Sequence, residues 1–176
     1  MNNLDIEIKT RAAIRDTKFT LLTDEDARQA YELSSEQRRI KDLLIEALEN
    51  DTGLVSYRRI APILDRSLRA WSIYTNNKKT ISRMLEIKSN SQYRSPSVLA
   101  DVDVSAFDCD YLEWLDGVID SLHPESKAVI RYEVFYKDDS RRADKWARDW
   151  SMSPRTYYNK LKDLREFLIA SLIGRV

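Results

Sequence analysis

The stretch SMSPRTYYNKL, Ser151 to Leu161, gathers the side chains of this chain best suited to touch a charged, hydrogen-bonding partner. Counted from Pro154, Arg155, Tyr158, Asn159 and Lys162 recur at helical steps and share one face, with Thr156 beside them. Tyr157, Leu161, Leu164, Leu168 and Leu172 recur on the opposite face and form an apolar stripe. Arginine can bond guanine twice and asparagine can bond adenine twice, so the polar face carries the groups that read base edges. Tyr158 suits a sugar or a thymine methyl, and Thr156 suits a phosphate held at the positive end of a helix dipole. Periodicity alone also describes an ordinary solvated face.

The start of that helix is well marked. A serine hydroxyl at 153 can accept a free first-turn amide, and Pro154 fits the first helical position, where no N–H is needed. Upstream lies RRADKWARDW, then SMS, then the long amphipathic run: the short helix, tight turn and long helix of a helix-turn-helix. Arg141, Arg142, Lys145 and Arg148 on the first of these helices are placed to hold a nucleic-acid backbone, and Trp146 and Trp150 are spaced as core partners. A second candidate contact is NNKKTISRML, where Lys78, Lys79 and Arg83 could face phosphates or simply solvent.

Other chemistry is poorly provided for. One cysteine, Cys109, and one histidine, His123, exclude an internal disulfide and a Cys/His zinc site. Cys109 reads as a packing residue and His123, before Pro124, as a helix-entry residue. Three glycines leave no phosphate-cradling loop, and no nucleophile lies beside a base. The reading is therefore a protein that is not an enzyme and needs no cofactor or metal. The N-terminus has no signal-peptide pattern and no run reaches membrane-spanning length, so the expected setting is cytoplasmic, with no membrane contact.

The zero formal net charge hides a segmented chain: residues 101–123 carry seven acidic and no basic residues, whereas Tyr57–Arg94 carries nine Lys or Arg against Asp65 and Glu86. Few glycines and prolines with 43% apolar residues predict an all-α fold of two small helical domains. Residues 1–33 read as an N-terminal arm, with Leu4, Ile6 and Ile8 alternating as in a strand. Residues 34–90 read as a basic helical domain with a second helix-turn-helix as one option. Within it, Ser34 and Gln37 form a capping box, a short helix spans Tyr57–Leu64 around Pro62, and Thr75 or Asn77 caps a helix bearing Ile81, Met84 and Leu85. The serine-rich stretch 91–106 reads as a linker. Residues 107–176 read as a four-helix unit in which Asp108 or Asp110 caps a helix with the stripe Tyr111, Leu112, Leu115, Val118, Ile119 and Leu122, and Pro124 opens the next.

Residues 111–172 resemble the C-terminal part of phage and prophage late transcription regulators of the ArpU/RinA type, which are similar to the region-four helix-turn-helix of sigma factors. The resemblance rests on LHPESKAVI, on VFY at a helix end, on KWARDW and on SPRTYYNKL. It implies a sequence-specific DNA-binding regulator whose second motif helix docks in the major groove of a promoter, through Arg155, Thr156, Tyr158 and Asn159. Asp138, Asp139, Asp144 and Asp149 depart from that pattern and weaken attraction to the backbone. Besides double-stranded DNA, the partners left open are RNA polymerase, a phage protein and a second copy in a homodimer. The competing readings are a DNA-packaging protein such as a terminase small subunit and a helical adaptor that binds protein only.

Overall fold

Ala27, Ala30, Leu33, Ile40 and Leu44 are buried at helical spacing, and Ser34 and Gln37 fill the gap in that stripe, both fully buried. One uninterrupted helix follows. The computed structural model describes residues 24–49, 57–89 and 107–175, and all their regular elements are helices. In chain order these are α1 (Asp24–Glu49), α2 (Tyr57–Asn76), α3 (Lys78–Ser89), α4 (Asp110–Asp120), α5 (Pro124–Phe135), α6 (Arg142–Asp149) and α7 (Pro154–Arg175). The expected strand at Leu4–Ile8, the helix stop at Gly53 and the linker 91–106 lie outside the described residues.

The all-α expectation holds, and several boundaries move. Ser34 and Gln37 sit inside α1 rather than at its start. The Gln37 amide instead accepts the Leu112 N–H at 3.4 Å and donates to Asp110 Oδ1 at 3.2 Å, which satisfies a buried polar group far along the chain. The helix at Tyr57 continues through Pro62 to Asn76. Pro62 is exposed, so the carbonyl its ring leaves without a donor can turn to water. Asn77 closes α2 rather than opening α3: its backbone N–H donates to Ile73 O and Tyr74 O at 3.1 and 3.0 Å, and its side chain to Ile73 O at 2.9 Å. This single residue separates α2 from α3.

The described residues divide into two compact units, one of 24–32, 78–89 and 107–108, the other of 33–49, 57–77 and 109–175. The division therefore does not follow 34–90 and 107–176. Its cause is the apolar face of α2, where Ile60, Ile63, Leu64, Leu68, Trp71 and Tyr74 need cover. They find it where α2 packs on α4, α5 and α7, which bury Leu112, Leu115, Ile119, Val129, Ile130, Leu164, Leu168 and Leu172. Each such side chain taken from water stabilises the fold by about 1.5–3 kcal/mol, more than a local boundary preference can oppose.

Polar groups in this larger unit are tied across the same contacts. The Trp71 indole donates to Asp116 at 2.9 Å. The Tyr111 hydroxyl lies 2.7 Å from Ser67 Oγ, which itself donates to Ile63 O, so Tyr111 is the donor. Arg66 grips both Glu36 oxygens through Nε and Nη2, and Arg165 meets Asp65 at 2.8 Å. Asp110, expected as a cap, is the first residue of α4, and Cys109 before it makes no side-chain cap. The Asp110 carboxylate instead takes Lys41 at 2.5 Å and Arg175 at 3.2 Å, joining α1, α4 and the end of α7. In the smaller unit Ala27, Ala30, Ile81, Met84 and Phe107 are buried, and the Tyr31 and Phe107 rings lie 6.3 Å apart.

Candidate nucleic-acid interface

The segment between α6 and α7 is short and tightly bonded. Met152 N–H reaches back to Ala147 O at 2.8 Å and Ser151 N–H to Arg148 O at 3.4 Å, while Ser151 takes a left-handed φ of 51°. These are the bonds of a Schellman turn, which glycine usually fills because it alone enters that region without steric cost. Two residues later Ser153 caps α7 as expected. Its Oγ accepts Thr156 N–H at 3.2 Å and lies 2.9 Å from Thr156 Oγ1. The Thr156 hydroxyl and backbone N–H are thus both already joined to Ser153.

Beyond the cap, Arg155, Tyr158, Asn159 and Lys162 are exposed, with Tyr158 at 52%. No described residue bonds to the side chains of Arg155, Asn159 or Lys162. From Arg155 to Lys162 the face runs about 10 Å along the axis at 1.5 Å per residue, comparable to the major-groove width of about 12 Å. Tyr157 and Leu164 turn inward with Leu168 and Leu172, while Leu161 is half-buried and Ile169 joins the core. Trp146 is fully buried, donates to Glu125 O at 3.1 Å and meets the Tyr157 ring edge-on at 5.6 Å. Trp150, expected as its core partner, is only half-buried.

The four basic residues expected to hold a backbone are not alike. Arg141 and Arg148 are exposed. Lys145 is exposed too, but its Nζ lies 2.6 Å from Asp139 Oδ2, whose other oxygen accepts Arg141 N–H at 2.9 Å. Lys145 first, and then that backbone bond, hold the Asp139 carboxyl below its usual range. Arg142 is half-buried and turned inward, with Nε 2.9 Å from Glu133 Oε2 and Nη1 3.4 Å from the Lys137 and Asp139 carbonyls. Its guanidinium belongs to the fold. The acidic departures are similarly sorted: Asp149 accepts the Tyr132 hydroxyl at 2.6 Å and Asp139 holds Lys145, while Asp138 and Asp144 are exposed. Lys78, Lys79 and Arg83 lie on α3 in the other unit, the two lysines exposed and Arg83 half-buried.

Among the described residues, no group of three or more His, Cys, Asp or Glu is placed to hold an ion, and no helix is long and apolar enough to cross a membrane. His123 stands at the N-cap position of α5 before Pro124, exposed, with Nδ1 2.9 Å from Glu125 Oε2. Cys109 is buried. Compared with protein-family models, curated proteins and solved structures, the chain matches none.

Sequence reasoning missed Glu133 altogether. Besides Arg142 it accepts the Tyr157 hydroxyl at 3.0 Å, so one carboxylate of α5 touches both helices of the motif. Burial first, then the Glu133 charge, pushes the Tyr157 hydroxyl well above the usual tyrosine range. The only signal in the sequence was a glutamate flanked by Tyr132 and Val134, which reads equally as a solvated charge.

Proposed function

We propose that this is a sequence-specific double-stranded DNA-binding protein of the cytoplasm, with no chemistry of its own, that regulates phage or prophage late genes. The observation that carries the reading is the exposed row Arg155, Tyr158, Asn159 and Lys162 at the N-terminal end of a helix whose start is held by a Schellman turn and a serine cap. That end offers bidentate donors to bases and a positive dipole to phosphate. Lys145 and Arg148 on α6 and Arg141 just before it flank that end and supply backbone contacts; Arg142, committed to Glu133, does not. The assignment to late genes rests on the resemblance of residues 111–172 to the ArpU/RinA-type regulators. Lys78, Lys79 and Arg83 on α3 form a second cationic segment that can hold phosphates.

Selection of bound duplexes from a random pool tests this directly. The expected result is a defined motif, protected in footprints, whose pattern blurs in Arg155→Ala and Asn159→Ala. A ring-shaped oligomer with little sequence preference would favour a packaging role instead. Failure to shift any duplex at low salt would leave a helical adaptor for RNA polymerase or a phage protein, monomeric or as a homodimer.

A further inference from the structure

Between Pro154 and Asp163, the stretch of α7 that holds the exposed polar row, Tyr157 alone is buried. The rest of α7 is fixed separately, by Leu164, Leu168, Ile169 and Leu172 in the core and by Arg165 on Asp65 and Arg175 on Asp110. Apart from the half-buried Lys160, whose Nζ lies 3.5 Å from Glu125 Oε1 of α5, the pose of the first two turns therefore depends on what holds Tyr157. Its ring has Trp146 of α6, and its hydroxyl has a single acceptor, Glu133 Oε2 at 3.0 Å. The same oxygen accepts Arg142 Nε at 2.9 Å, from the first residue of α6, and the Glu133 side chain is only 21% exposed. Arg142 in turn donates to Lys137 O and Asp139 O, so the loop that presents Asp139 to Lys145 is bound into the same arrangement.

We infer that Glu133 is the positioning residue of the proposed DNA-reading face: its carboxylate sets the pose of the first two turns of α7 against α6. The inference rests on the DNA-binding reading for its purpose, but not for its geometry. A carboxylate accepting from a charged guanidinium and a phenol forms stronger, more directional bonds than a neutral amide; Arg142 Nε and the Tyr157 hydroxyl share Oε2, while Arg142 Nη2 reaches Oε1 at 3.4 Å. Loss of either partner loosens the end of α7 that has no other buried anchor, while the far end keeps its own.

Two variants test it in the full chain. Glu133→Gln removes the charge, and Tyr157→Phe removes only the hydroxyl and leaves ring packing and net charge as they are. In free protein, amide hydrogen exchange at Tyr158–Lys162 should accelerate by about tenfold in both, with Leu164–Leu172 unchanged. Unchanged exchange at Tyr158–Lys162, or equal acceleration along all of α7, would overturn the positioning role, because the second outcome marks a general loss of stability. With a selected duplex in hand, the ratio of affinities for it and for random DNA should fall by about tenfold in Tyr157→Phe. A faster local exchange with an unchanged ratio would overturn the link to reading. If the wild-type chain binds no duplex, the DNA-binding proposal fails while the exchange result still decides the geometry.

Discussion

Lys145 Nζ lies 2.6 Å from Asp139 Oδ2, so this exposed cation of α6 is already paired with a carboxylate of the preceding loop. On the DNA-binding proposal, a phosphate competes with Asp139 for it. Asp139→Asn keeps an acceptor for Arg141 N–H and releases the lysine. It should raise affinity for all duplexes alike and steepen the salt dependence by about one counterion. Lys145→Ala should do the reverse, and more strongly in the Asp139→Asn background, because the lysine is paired with Asp139 in the native chain. Titrations over a range of salt check both; additive effects of the two changes would mean that the pair does not regulate contact.

Arg155 and Asn159 are exposed and bonded by no described side chain, so their removal should leave the fold intact and act on binding alone. Arg155→Ala and Asn159→Ala should each cost about 1–3 kcal/mol on a selected site and relax its sequence preference. Unchanged affinity and footprint in both variants would remove α7 as the reading helix.

Ser151 holds a φ of 51° in the turn between α6 and α7. An L-residue there bears a steric cost that glycine avoids, partly offset by the greater freedom of glycine in the unfolded chain. Ser151→Gly should therefore stabilise by about 0.5–1 kcal/mol, and Ser151→Val should destabilise. The readout is the denaturation midpoint at constant slope. A lower midpoint for the glycine variant would mean that the turn does not need the left-handed residue.

Tyr74 and Tyr111 share the alkaline limit of the larger unit with Tyr157, whose hydroxyl is also raised. Burial first pushes the Tyr74 and Tyr111 hydroxyls up to about 12 from the ordinary 10.0. A folded value above the unfolded one means that the fold favours the protonated phenol. Its contribution is complete below pH 10 and is lost as pH rises from there through about 12. Thermal unfolding should therefore be insensitive to these groups at neutral pH and should fall across that alkaline range. Tyr111→Phe, which also gives up the bond to Ser67, should lower stability at pH 7 yet flatten the alkaline decline. A decline as steep as wild type would place the sensitive groups elsewhere.

Local signals were legible wherever local chemistry decides. Ser153 and Pro154 set the start of α7, Pro124 that of α5, and the stripe from Tyr111 to Ile119 that of α4, because caps, proline and periodicity act within a few residues. Ser34 and Gln37 misled because the same residues that make a capping box can also fill a buried stripe. Only the distant Asp110 and Leu112 satisfy Gln37 there. The division into units was not legible for a similar reason: a 34–90 unit looks self-sufficient from its own pattern, whereas the face of α2 is covered by α4, α5 and α7. At the site, the outward row was readable and its support was not, since Glu133 is separated by many residues from Arg142 and Tyr157 and carries no periodic mark.

The placement of α2 has a practical consequence for anyone preparing the C-terminal motif by itself. A clone starting at residue 107 follows the serine-rich segment and looks well chosen, yet it strips Ile60, Leu64, Leu68 and Trp71 from over Leu115, Ile119, Leu168 and Leu172. Such a fragment presents a bare oily surface and should precipitate or self-associate on expression. A clone from residue 33 onward retains the missing lid.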